Sequence, residues 1–152
     1  MDIEPMIALV RTAHAGQTDL MGRDYFEYHL KPVAQAAEAL LPGHPEVVAA
    51  AWLHDIIEDT SVCVTDLQAA LIPDEIIDAV ISVTKRDGES YDGLITRACA
   101  NSIGRWVKLA DNTVNIANNK LLAESNPEKA AKLLAEKYLP ARAQLKQACG
   151  LT

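Results

Sequence analysis

One short segment, residues 51–60, concentrates side chains suited to acid–base or metal chemistry. It contains His54, Asp55, Glu58 and Asp59. We expect the segment to be the end of a buried helix, in which residues four apart share a face, so that His54 lies over Glu58 and Asp55 over Asp59. Burying an imidazole and three carboxylates together costs several kcal/mol for each uncompensated charge. The segment therefore predicts a bound cation or a catalytic role.

Histidine is scarce in this chain, so the candidate imidazoles are few. The histidines are His14, His29, His44 and His54. His29 lies in a predicted helix beside apolar residues, and Asp111 follows the largely apolar run 106–110, where a lone carboxylate is costly. With His54 and Asp55, these give two imidazoles and two carboxylates from separate segments. Such a set leaves open positions on an octahedral ion and suits Mn²⁺, Fe²⁺ or Zn²⁺ better than a closed structural zinc site.

Several short motifs follow one another in a characteristic order. Residues 54–60 have the pattern HDxxEDT, and residues 108–115 have the pattern KLADxxxN. Supporting motifs are HxGQ at residues 14–17, VTK at residues 83–85 and a tyrosine at position 91. Together with His29, these motifs resemble the HD-domain metal phosphohydrolases, and within them the hydrolase domains of Rel/SpoT-type alarmone enzymes and the stand-alone small alarmone hydrolases. We expect His14 to fix the adjacent loop rather than bind metal.

The resemblance implies a role for each group of site residues. It implies one divalent ion, commonly Mn²⁺ with Fe²⁺, Zn²⁺ or Mg²⁺ as alternatives, held by His29, His54, Asp55 and Asp111. It assigns Glu58 and Asp59 to orienting or deprotonating the attacking water. The substrate-binding candidates are Asn115, Lys85, Tyr91 and Arg23. The implied reaction is hydrolysis of the 3′-pyrophosphate of (p)ppGpp-type guanosine nucleotides, with release of pyrophosphate.

The chain departs from the family pattern on the substrate side. An Arg-Lys pair usually follows HxGQ, but this chain has Thr18, Asp19 and Leu20 there, and Arg23 is the nearest cation. The reaction class is therefore better supported than the substrate. One alternative is an HD phosphohydrolase acting on another nucleotide or phosphate ester. Another is a non-catalytic nucleotide-binding or partner-binding module, which would be expected to lose Glu58 and Asp59.

Composition limits the other classes of function. The net charge is −7 and no basic stripe is visible, which argues against nucleic-acid binding. No apolar run approaches the roughly 18 residues that a membrane span requires. Three scattered cysteines without a signal peptide favour a reduced, cytoplasmic setting. Assembly into a homo-oligomer is left open.

Hydrophobic periodicity and an alanine- and leucine-rich composition predict an all-α fold, a compact HD-domain helical bundle in which residues 1–152 form one domain. We predict helices over residues 2–14, 25–41, 45–60, 67–71, 74–84, 91–100, 103–122, 127–138 and from Pro140 to about 150, a count of seven to nine. Pro32 predicts a boundary or kink near Lys31, and Pro140 is expected to separate the last two helices.

Overall fold

A computed structural model describes residues 2–152, in which every regular element is helical. The α-helices are α1 (Glu4–Ala13), α2 (Lys31–Leu40), α3 (Pro45–Leu53), α4 (Ile56–Asp59), α5 (Val64–Ala69), α6 (Asp74–Ser82), α7 (Tyr91–Ala100), α8 (Gly104–Ser125), α9 (Pro127–Leu133) and α10 (Leu139–Ala148). π-Helical segments, Phe26–Leu30 and Leu134–Tyr138, lead directly into α2 and α10. The all-α prediction is confirmed, with one α-helix more than expected.

The longest helix, α8, is the centre of the packing. Helices α2, α3, α7, α9 and α10 pack against it, and α2 also packs against α3. Alanines on these helices, such as Ala37, Ala50 and Ala110, are fully buried, because a methyl side chain allows helix axes to approach closely. The end of α3 and the middle of α8 are thereby held close together.

The prediction of one continuous helix through residues 51–60 is wrong. Helix α3 ends at Leu53, and the separate turn α4 begins at Ile56. Asp55 leaves the helical region, with φ −103° and ψ 1°. In an uninterrupted helix, adjacent side chains diverge by about 100°. The break instead lets the side chains of His54 and Asp55 point in the same direction, with His54 Nε2 3.0 Å from Asp55 Oδ2.

Two prolines lie shortly after the π-helical segments. A proline has no N–H group, so Pro32 cannot bond the carbonyl of Tyr28. The boundary predicted near Lys31 is confirmed, and the Asn118 side chain donates to the free Tyr28 carbonyl at 3.4 Å. Pro140 marks a boundary as predicted, but the helical backbone continues through it from Leu134–Tyr138 into α10. A π turn therefore accommodates each proline without breaking the chain's helical path.

Among residues 2–152, no helix combines the length and the apolar character that crossing a membrane requires.

Candidate active site

Four predicted side chains meet at the break between α3 and α4. His29 comes from the first π-helical segment and Asp111 from the middle of α8, and both are buried, as is His54. The His29 Nε2 atom lies 3.3 Å from His54 Nε2 and 3.0 Å from Asp111 Oδ1. The Asp55 Oδ2 atom lies 3.0 Å from His54 Nε2 and 3.6 Å from His29 Nε2. Segments distant in sequence thus bring four metal-ligating groups to one point.

The geometry of this group fits a divalent ion. Potential ligand atoms of His29, His54 and Asp111 all lie within 4.8 Å of one another. Metal–ligand bonds of about 2.0–2.2 Å place neighbouring ligand atoms about 3 Å apart, close to the distances seen here. The Nδ1 atom of His54 is 2.6 Å from the Ala51 carbonyl, so Nδ1 carries a hydrogen and Nε2 is the ring nitrogen turned towards the site, where the neutral imidazole would offer it to an ion.

The neighbours of Asp111 keep its carboxylate ionised. Burial alone would raise the pKa of Asp111, but the charge of Lys108 and hydrogen bonds from His29 and His54 hold that pKa well below its usual range. The Lys108 Nζ atom donates to Asp111 Oδ2 at 2.9 Å. Asp111 therefore stays ionised, with one oxygen held by Lys108 and the other facing the two imidazoles.

Tyr25 is a site residue that the sequence argument missed. Its hydroxyl donates to Asp55 Oδ2 at 2.5 Å, and its ring stacks on His29 with the centroids 4.8 Å apart. Burial and the nearby charge of Asp55 raise the pKa of Tyr25, which keeps the phenol protonated as a donor. The available signal was the spacing of four residues between Tyr25 and His29, which places both on one face of a helix.

The two carboxylates of α4 lie beside this group in different surroundings. Glu58 lines the cavity described below, and its Oε1 atom accepts a 2.7 Å hydrogen bond from the Lys85 backbone N–H. Asp59 is absent from the cavity lining, and its Oδ2 atom accepts a hydrogen bond from the Gln17 amide at 3.0 Å. Desolvation and the charge of Asp55 raise the pKa of Asp59.

A cavity of about 410 Å³ opens next to the His–Asp group. His29, Asp55 and Asp111 line one part of it. The predicted substrate residues Lys85, Tyr91 and Asn115 also line it, together with Lys108 and Lys137.

Arg23 is the one predicted substrate residue that the structure does not bring into this cavity. Its Nε atom is 2.8 Å from Asp19 Oδ2, and its guanidinium lies over the Tyr28 ring at 4.6 Å. The Asp19 carboxylate also accepts backbone hydrogen bonds from Met21 and Arg23, which close the loop on itself. Arg23 is therefore held within the loop through its Nε atom, while its buried Nη2 atom has no hydrogen-bond partner among residues 2–152.

Lys137 is another cavity residue that sequence reasoning missed. It lies in the second π-helical segment, and its Nζ atom is 4.6 Å from the centre of the Tyr91 ring. Burial and the charge of Lys108 lower the pKa of Lys137. Within residues 2–152 neither Lys137 nor Lys85 forms an ion pair, so both cations remain available to an anionic ligand.

The fold of the chain is similar to that of a solved structure. That structure is of a metazoan orthologue of SpoT that hydrolyses ppGpp and plays a role in starvation responses. The TM-score is 0.68 at 20% identity, and the match covers 96% of this chain and 92% of that one. At this identity the likeness establishes the fold.

Sequence comparison gives a second finding. Over 142 residues the chain is 32% identical to a probable guanosine-3′,5′-bis(diphosphate) 3′-pyrophosphohydrolase of Mycoplasma pneumoniae. The chain is an HD-type domain with the Rel/SpoT-like hydrolase fold. The match covers 82% of this chain but only 19% of that relative, so the Rel/SpoT-like domain spans about a fifth of it. No family model matches the chain. An HD-type domain implies a divalent metal ion, and the site described above has side chains suited to hold one.

Proposed function

We propose that this domain is a metal-dependent phosphohydrolase that removes the 3′-pyrophosphate of (p)ppGpp-type guanosine nucleotides. The observation that carries the proposal is the convergence of His29, His54, Asp55 and Asp111 beside a cavity that also carries unpaired lysines. The activities named for the Mycoplasma relative and for the metazoan SpoT orthologue support both the reaction and the substrate.

We assign these four side chains as ligands of one divalent ion, with Mn²⁺ preferred over Fe²⁺, Zn²⁺ or Mg²⁺. A mixed set of imidazoles and carboxylates suits these metals, and Mg²⁺ least, because it prefers oxygen ligands. When bound, the ion lowers the pKa of water and draws charge from phosphoryl oxygens. Tyr25 and Lys108 each hold one ligand carboxylate, so both carboxylates keep their orientation.

Glu58 and Asp59 would orient the attacking water and accept its proton. Both belong to the short helix α4, which follows directly after the ligands His54 and Asp55. A carboxylate is a suitable acceptor when it lies within hydrogen-bond reach of the water in a substrate complex. The raised pKa of Asp59 brings its basicity closer to that needed at neutral pH.

The remaining cavity residues suit an anionic nucleotide. Asn115 follows Asp111 by one turn of α8 and can hydrogen-bond a ribose or phosphate without adding charge. Lys85 and Lys137 supply positive charge for phosphate groups that the ion does not contact. The Tyr91 ring holds Lys137 by a cation–π contact, which limits the freedom of that flexible side chain.

The proposal is tested by incubating purified protein and Mn²⁺ with guanosine tetraphosphate and a panel of other nucleotides. We expect pyrophosphate as the product and no turnover by the His54→Ala/Asp55→Ala variant. Lys137→Met should raise KM about tenfold, because a charge-assisted hydrogen bond is worth about 1.5–3 kcal/mol. Lys132→Met, at an exposed lysine of α9, is the matched control and should leave KM unchanged. Turnover confined to other nucleotides would refute the alarmone assignment.

One observation favours a second substrate class. The loop residues Thr18, Asp19 and Leu20 line the cavity, and the nearest cation, Arg23, is held by Asp19. The part of the cavity formed by residues 18–20 therefore has no Arg-Lys pair to bind the substrate. An HD phosphohydrolase acting on another nucleotide or phosphate ester would use the same metal ligands, and the nucleotide panel distinguishes the two.

Several broader expectations remain proposals. We propose that residues 1–152 act as one domain, with a nucleotide rather than nucleic acid as ligand, in keeping with a net charge of −7. A reducing cytoplasmic setting and assembly into a homo-oligomer stay predictions. Gel filtration and sedimentation would decide the oligomeric state.

A further inference from the structure

The turn after α1 holds Gln17 in a fixed position. Gly16 adopts φ +83°, a left-handed conformation that glycine reaches at little cost, and allows the chain to turn back. The Gln17 N–H bonds the His14 carbonyl at 3.0 Å, and the Gln17 carbonyl accepts from the Tyr25 N–H at 2.9 Å. The backbone of Gln17 is therefore fixed on both sides, next to the residue that orients Asp55.

The side chains of His14, Gln17 and Asp59 form a directed chain of hydrogen bonds. His14 Nδ1 is 2.7 Å from Gln17 Oε1, and Gln17 Nε2 donates to Asp59 Oδ2 at 3.0 Å. An amide oxygen only accepts, so His14 Nδ1 must carry the hydrogen. An ionised carboxylate also only accepts, so the amide must present its NH₂ group to Asp59. Both contacts thus fix the same orientation of the Gln17 amide.

His14 is buried, with 2% of its surface exposed, and its ring lies 5.9 Å from that of Tyr25. The Nε2 atom of His14 is buried and has no hydrogen-bond partner among residues 2–152, so the contact of Nδ1 with Gln17 is the side-chain hydrogen bond that holds the ring.

We infer that Gln17 is a positioning residue that orients the Asp59 carboxylate, and that His14 in turn fixes the Gln17 amide. The inference rests on the proposed function, in which Asp59 accepts a proton from the attacking water. Gln17 engages Oδ2 of Asp59, and no residue among 2–152 hydrogen-bonds Oδ1. Oδ1 is thereby left to face water while rotation of the carboxylate is restricted.

The same contacts would also tie the loop to α4 if their role were structural only. The two roles differ in what they change. Loss of a structural tie lowers stability and affects substrate binding and turnover alike. Loss of a positioning contact lowers kcat with little effect on KM, because the contact acts on the proton acceptor and not on substrate binding.

The test compares Gln17→Leu with Gln68→Leu, a matched change at an exposed glutamine of α5. We expect Gln17→Leu to lower kcat at least about tenfold, by analogy with residues that hold metal ligands in position, with KM changed less than about twofold. Gln68→Leu should change neither constant.

The pH profile gives a second readout. Burial and the charge of Asp55 raise the pKa of Asp59, and Gln17, His14 and His54 lower it. Removal of the Gln17 hydrogen bond should therefore move the acid limb of the kcat profile to higher pH. Gln68→Leu should leave the limb in place.

A double-mutant cycle tests the order of the chain. His14→Phe keeps a ring next to Tyr25 but removes the Nδ1 donor, and it should lower kcat less than Gln17→Leu does. In the Gln17→Leu background, His14→Phe should lower kcat no further, because His14 acts only through Gln17.

The inference is overturned if Gln17→Leu leaves kcat and the acid limb unchanged in an enzyme that Asp59→Asn inactivates. It is also overturned if the His14 and Gln17 effects on kcat multiply independently. If the wild-type protein hydrolyses no nucleotide, or Asp59→Asn is fully active, the proposed function of Asp59 falls and the inference falls with it.

Discussion

The buried ion pair between Lys108 and Asp111 gives the sharpest test of the electrostatics of the site. The two side chains are 11% and 7% exposed, and Nζ and Oδ2 are 2.9 Å apart. Lys108→Met keeps most of the length of the side chain but leaves the Asp111 carboxylate without its cation. Removing one partner of a buried pair costs about 3–5 kcal/mol. The imidazoles of His29 and His54 also face the Asp111 carboxylate, so we expect a loss near the lower limit, about 3 kcal/mol.

The assays are urea unfolding and thermal unfolding of the chelator-treated protein at neutral pH, which give the free energy of unfolding and the melting temperature. A loss of this size lowers the melting temperature by about 6–12 °C in a protein of this length. Lys120→Met, at an exposed lysine of the same helix, should stay within about 0.5 kcal/mol of wild type. Adding Asp111→Asn to Lys108→Met removes the unpaired charge, so the double variant should be more stable than Lys108→Met alone.

Two outcomes would refute this reasoning. One is a Lys108→Met variant as stable as Lys120→Met, which would mean that the pair of Lys108 and Asp111 contributes nothing to the free energy of unfolding. The other is a double variant that loses the sum of both single effects, which would mean that the residues act independently. Saturating Mn²⁺ should narrow the gap between Lys108→Met and wild type, because the ion supplies the charge that Lys108 no longer provides.

Three further predictions concern stability. Hydrogen bonds from Arg97 lower the pKa of Glu89 to about 2. The pair therefore stabilises the fold fully above the unfolded-state pKa of about 4.3, and this stabilisation is lost as pH falls towards 2. Urea unfolding of Glu89→Gln at several pH values should lack this part of the acid dependence. Gly104→Ala should lower stability by about 1–3 kcal/mol, because the new Cβ would lie 2.0 Å from Ser82 Oγ, and Ser82→Ala should partly restore the melting temperature. Leu71 has φ 60° after α5, so Leu71→Gly should raise stability by about 0.5–1 kcal/mol, and an unchanged or lower melting temperature would contradict this.

The metal-ligand candidates were accessible from the sequence because their types are rare in their surroundings. The chain has only four histidines, and Asp111 follows a largely apolar run, where a buried carboxylate without a partner is costly. The bend at Asp55 was not accessible, since residues 51–60 have a composition that suits an uninterrupted helix. The motif identified side chains that the structure brings together, but the local backbone goes with contacts that no local pattern shows, such as the hydrogen bond between Tyr25 and Asp55.

The cavity cation Lys137, by contrast, could not be identified from the sequence. A lysine on an amphipathic helix is ordinary, so nothing in the sequence distinguishes Lys137 from Lys132. The structure places Lys137 beside Tyr91 and near Lys108, residues 29 or more positions away along the chain. Arg23, the cation nearest in sequence to the missing Arg-Lys pair, is instead held by Asp19. Closeness in sequence to the missing Arg-Lys pair therefore did not identify a cavity cation. The cavity is formed by loops and helix ends that are far apart in the chain, and no local sequence pattern shows how they pack.

The two π-helical segments explain how the sequence determines side-chain direction at these positions. His29 lies three residues before Pro32, and Lys137 lies three residues before Pro140. Each proline removes a backbone donor, and the preceding turn widens to hydrogen bonds between residues five apart, Phe26 with Lys31 and Leu134 with Leu139. One extra residue in a turn rotates the side chains before it by about 100° relative to those after it. Proline in an otherwise helical pattern therefore predicts more than a kink. In this fold it sets which way the residue three positions earlier points, and at both positions that residue lines the cavity.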